Sequence, residues 1–104
     1  METVIEQQFD LNQDKIILLD GEDDSDRCLA VRTSASELKG FPTHQKYGWT
    51  IYLYNHKVGV VGWNLDASLV FEGCGSGVFF PQELRIVADF LDAVGDQQKY
   101  TVQA

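Results

Sequence analysis

The chain has 104 residues, 44% of them hydrophobic and 12% aromatic, so it forms one domain, spanning 1–104, that buries a core without metals or disulfide staples. Two prolines and nine glycines in 104 residues argue against a disordered chain. The net charge of −8 is laid out unevenly, because Glu2, Glu6, Asp10, Asp14, Asp20, Glu22, Asp23, Asp24 and Asp26 face only Lys15 in the first 26 residues, and the rest of the chain balances. That field disfavours direct binding to nucleic acid phosphate and steers a basic protein partner towards the first quarter.

The opening residues, Met1 to Glu6, carry neither a basic n-region nor an apolar h-region. No apolar run approaches the roughly 18 residues of a membrane span. A soluble, cytoplasmic protein without membrane contact is the expectation. Cys28 and Cys74 then stay reduced and mostly buried.

Residues 3–9 alternate loosely, as an edge strand or an ordered arm. Ile16 to Leu19 form a short apolar run, and Arg27 to Thr33 a second β-compatible run. Between them, five carboxylates occupy seven positions from Asp20 to Asp26. Two such runs around a Gly/Asp/Ser cluster predict a hairpin with the acidic stretch on its loop. Residues 34–48 predict a loop with one short helical turn, ended by Gly40 and Pro42.

Residues 48–63 predict a hairpin. A two-residue turn at Asn55-His56 sets Tyr54 opposite Lys57 and Ile51 opposite Val60. One face then carries Trp49, Ile51, Leu53, Val58 and Val60. The other carries Thr50, Tyr52, Tyr54, Val61 and Trp63. Ala67 to Glu72 predict a further strand, broken by the glycines at 73, 75 and 77.

Pro81 at the first helical position, Glu83 in the first turn and Gly95 just past the end bound a helix. Leu84, Val87, Ala88, Leu91 and Val94 repeat at helical spacing, and Ile86 and Phe90 widen the apolar arc. Lys99 to Val102 form a last short strand or fray. The predicted fold is α+β: an antiparallel meander of four to five strands with one C-terminal helix packed on one face.

The motifs exclude more than they assign. The acidic stretch fails the EF-hand pattern, because a loop starting at Asp20 puts Ser25 at the glycine position and Val31 at the final ligand. The glycine run before the helix lacks the Lys-Ser/Thr of a phosphate loop and has Val78 where the dinucleotide fingerprint needs glycine. His44, His56, Cys28 and Cys74 form no close ligand pair, so neither zinc nor any other cofactor is expected. No nucleophile-elbow pattern is present and no enzyme is expected.

What remains is contact. Glu22, Asp23, Asp24 and Asp26 suit a basic protein surface, and Tyr52, Tyr54 and Trp63 suit aromatic anchoring on an open sheet face. The expected function is a small acidic protein-binding module, an inhibitor or adaptor that occludes a basic surface of a larger enzyme, such as a nuclease channel. In size, acidity and domain plan the chain is similar to immunity proteins and phage-encoded inhibitors, a likeness of composition without a shared motif. The alternatives are a homo-oligomeric assembly protein, a homodimer included, joined by the Ile86 and Phe90 flank or the sheet face, and a small-ligand or calcium binder.

Overall fold

The computed structural model describes residues 9–38, 47–63, 68–74 and 79–103. Five strands, β1 (Lys15–Leu19), β2 (Cys28–Ser34), β3 (Tyr47–Leu53), β4 (His56–Trp63) and β5 (Leu69–Gly73), pair antiparallel in chain order. One helix, α1 (Pro81–Gln103), follows them. This is the α+β meander with a C-terminal helix that the sequence predicts. Residues 1–8, the Gly40–Pro42 stop and the glycines at 75 and 77 lie outside the described residues.

The core occupies one face of the sheet. Ile16 and Leu18, Cys28 and Ala30, Trp49, Ile51 and Leu53, and Val61 and Trp63 alternate onto it and are buried. The helix closes it with Val87, Phe90 and Val94. Trp49 is the hub: its ring lies 5.3 Å from that of Phe90, 5.8 Å from Trp63 and 5.4 Å from Tyr47. Phe9 reaches the same cluster by an edge contact with Phe90 at 5.8 Å.

The β3–β4 hairpin departs from the predicted register. Its turn is Tyr54-Asn55, both at positive φ (53° and 69°), closed by Leu53 opposite His56. Two left-handed central residues make the tight turn whose twist suits an antiparallel pair. The register then shifts between Ile51 and Tyr52, leaving Val58 as the extra residue of a bulge. Trp49 consequently faces Val61 instead of the neighbour that would send Val61 outward. Val61 and Trp63 therefore belong to the core face, contrary to the face assignment from alternation. Burying both tryptophans together outweighs the preference for asparagine at the first turn position. Gly59 serves this arrangement, since a Cβ there would meet the Phe71 ring at 2.6 Å.

The helix also runs further than predicted. It opens as expected, with Pro81 at its first position, and the Glu83 carboxylate accepts a hydrogen bond from the Phe80 N–H at 2.9 Å. It does not stop at Gly95 but continues to Gln103, so Lys99 to Val102 are helical. Phe90 is fully buried and Ile86 half-buried, which corrects their assignment to a free flank. The exposed apolar residues of this region are instead Phe80, at 68%, and Leu84, at 51%, one turn apart.

The opposite face of the sheet is partly covered. Leu38, which follows a 3-10 turn (Ala35–Glu37), is buried there, and a Cβ on Gly48 would meet it at 2.6 Å. The Thr33 and Thr50 hydroxyls hydrogen-bond at 2.7 Å beside it. Over β1 and β2 this face stays open, with Ile17 47% exposed and Leu29 and Val31 half-buried.

Candidate functional site: the acidic end of the sheet

The loop between β1 and β2 is fixed from within. Asp20 accepts hydrogen bonds from the Gly21 N–H (2.8 Å) and from Arg27 Nε (3.3 Å). Arg27 also donates to the Gly21 carbonyl at 2.9 Å, so one guanidinium ties the two ends of the loop together. Gly21 is needed because a Cβ would lie 2.6 Å from the Asp26 carbonyl oxygen. Inside the loop, Asp23 accepts from the Ser25 N–H (3.0 Å) and from the Ser25 hydroxyl, and Asp26 N–H donates to the Asp23 carbonyl at 3.0 Å, closing a 3-10 turn (Asp24–Asp26). The hydrogen bonds from Ser25 hold the Asp23 carboxyl below its ordinary pKa.

These bonds orient the loop without discharging it. Glu22, Asp23 and Asp26 are exposed and, among the described residues, make no ion pair. Asp24 takes the first position of the 3-10 turn, and its side chain lies outside the described residues. Among the described residues the acidic quarter shows superficial ion pairs: Asp20, 74% exposed, with Arg27, and Asp14, 92% exposed, with Arg32. Such pairs contribute about 0–1 kcal/mol and leave the long-range field in place.

The aromatic residues expected beside the acids divide. Tyr52 does lie on the open face, half-buried, opposite Leu29. Tyr54 sits in the hairpin turn and packs against the core cluster. Its N–H donates to the Arg27 carbonyl at 2.9 Å, which brings the β3–β4 turn against the base of the acidic loop. Trp63 is 6% exposed in the core and cannot anchor a partner in this conformation, a direct consequence of the shifted register.

A hollow of about 350 Å³ on the open face is lined by Lys15, Arg27, Leu29, Val31, Tyr52 and Asn55. Of these the 48–63 hairpin pattern marks Tyr52 for the outward face and Asn55 for the turn. Asn55 comes from the β3–β4 turn, and Lys15, Arg27, Leu29 and Val31 follow from the β1–β2 register, which the two apolar runs do not define. Of the thiols, Cys28 is buried, with its pKa raised by burial, whereas Cys74 is exposed, which corrects the expectation that both are mostly buried.

Among the described residues no three His, Cys, Asp or Glu side chains converge as a metal site, and no helix is long and apolar enough to cross a membrane. Comparison with known protein families, with curated proteins and with solved structures finds no match to the chain.

Proposed function

We propose that this protein acts by contact rather than by bond-making. It is a small cytoplasmic binding module, an inhibitor or adaptor, whose acidic loop covers a basic surface of a larger enzyme. The observation that carries this reading is the loop itself: Glu22, Asp23 and Asp26 stand exposed and without ion pairs among the described residues, on a turn held by its own hydrogen bonds. A preformed loop loses little conformational entropy on docking. Its charge raises the association rate and selects basic partners, while apolar contact beside it supplies affinity. Tyr52 is the aromatic residue placed to give that contact.

The test is a comparison of wild type with the triple variant D23N/D24N/D26N. Each serves as bait for affinity purification from the native host, followed by association kinetics with the recovered protein. The expected result is a partner with a basic surface, and association about ten-fold slower for the variant at low salt, with a flatter salt response. An identical salt response for the two baits would remove the reading.

A second reading, self-assembly, is favoured by a separate observation. Phe80, just before α1, and Leu84 and Ala88 within it are exposed along one line, and two of the three large exposed apolar side chains of the described residues lie there. The calcium alternative gains no support from the side chains that are described.

A further inference from the structure

Strand register brings two cations to the hollow on the outer sheet face. Lys15 opposes Val31 across β1 and β2. In the next cross-strand row Ile17 opposes Leu29, which in turn opposes Tyr52. Leu29 and Val31 therefore share one face and form the floor, with Tyr52 beside them. Lys15 belongs to the Val31 end of the hollow, and Arg27, two residues before Leu29, to the other. About 13 Å of extended chain separates Arg27 from Val31.

Chemistry narrows the occupant. An anion at Arg27 would compete with Asp20, whose carboxylate accepts from Arg27 Nε at 3.3 Å, and would face Glu22, Asp23 and Asp26 exposed on the same loop. A cation would meet Lys15 and Arg27 at the two ends. A neutral aliphatic group would cover the floor and gain nothing from either charge. An aromatic ring gains from both. Its edge packs on Leu29 and Val31, while its electron-rich faces attract the ammonium and the guanidinium. Arg27 suits this role because its bonds to Asp20 and to the Gly21 carbonyl fix the guanidinium in place. Those bonds lie in the guanidinium plane, so a ring stacking on its face breaks neither.

We propose that the hollow is an anchor pocket that receives one aromatic side chain of a partner protein, held between Lys15 and Arg27 over Leu29 and Val31. This rests on reading the acidic loop as a partner-binding surface, and it names the anchor beside that loop. The volume of about 350 Å³ lies at the small end of ligand sites. Lys15 and Asn55 on its walls are exposed, so a free small molecule would stay partly wet. A ring carried on a protein surface is instead sealed by the contacts around it, and aromatic side chains are the usual anchors of such surfaces. A second copy of this chain offers Phe80, 68% exposed, but brings its own net charge of −8 to the acidic loop.

The probes are N-acetyl-phenylalaninamide and its cyclohexylalanine counterpart, a ring of similar size without π-faces. Binding to the full chain is followed by NMR at the Leu29 and Val31 methyls and the Tyr52 ring. The phenylalanine probe should give saturable shifts at all three residues and bind at least about two- to five-fold tighter than the cyclohexyl probe, the factor of one cation–π contact. Lys15→Gln should weaken the phenylalanine probe by about the same factor and leave the cyclohexyl probe unchanged. Absent shifts, equal binding of the two probes or indifference to Lys15→Gln would overturn the proposal. None of these results touches the acidic reading, which stands or falls on the salt response of D23N/D24N/D26N. Toluene binding more tightly than the capped amide would assign the hollow to a free ring and overturn the partner side chain. So would shifts at these residues that grow with protein concentration and vanish in Phe80→Ala, because the occupant would then be a second copy.

Discussion

Asn55 holds the second position of the β3–β4 turn at a φ of 69°, and its side chain is exposed. Asparagine tolerates the left-handed region, whereas a β-branched side chain there clashes with its own backbone. Tyr54, at 53°, is a less usual occupant of the first position, and its ring packing on the core cluster offsets the strain. Because Asn55 packs little, substitutions there read the backbone and almost nothing else. Asn55→Val should lower the unfolding free energy by about 1–2 kcal/mol, and Asn55→Gly should leave it within about 0.5 kcal/mol. Urea titration of the two variants checks this. With Asn55 in an ordinary extended conformation the order would reverse, because valine would then be the better strand residue.

At the scale of elements, Gly95 offers a signed test of where α1 ends. Nothing lies within 4 Å of a Cβ built there, and its φ is not positive. It is an interior helical glycine that costs backbone entropy without serving as a cap. Gly95→Ala should therefore stabilise the protein by about 0.5–1 kcal/mol, raising the thermal midpoint. A helix stopped at this residue in a left-handed cap would instead be destabilised by the same change. The strands between Lys15 and Gly73, their order and the helix start were legible, since Pro81 with Glu83 and the apolar periodicities are local signals, whereas the short strand expected at Lys99 to Val102 is helix. The helix end and the hairpin register were not. A glycine marks a stop only when the chain turns left-handed at it, and the eight residues after Gly95 contain no proline to enforce one. The hairpin register is decided by Trp49 and Trp63 sharing one core, a long-range demand that overrode the local turn preference. The acidic part of the candidate site was legible for the opposite reason, because charge density needs no register. Assigning Trp63 to an exposed face failed with the register, and the Ile17–Leu29–Tyr52 row emerged only once the pairing of three strands was known.

For the molecule as a whole, the partner-binding and self-assembly readings place their contact surfaces on different elements. The acidic loop joins two strands of the sheet, while Leu84 and Ala88 belong to the helix and Phe80 directly precedes it. Charge also separates them, because a chain of net charge −8 repels its own copies at low salt. Self-association through the helix stripe, if it occurs, must be driven by apolar burial and strengthened by salt, whereas contact with a basic partner is weakened by it. Sedimentation at micromolar concentration across a salt series should return a monomer throughout for a protein whose contacts are made with a basic partner. A dimer that grows with salt and is abolished by Leu84→Glu would assign the stripe to self-assembly. Leu84 is half exposed, so the glutamate can be accommodated at the surface and should leave the helical circular dichroism signal unchanged. The two surfaces are then tested by substitutions that do not share a side chain.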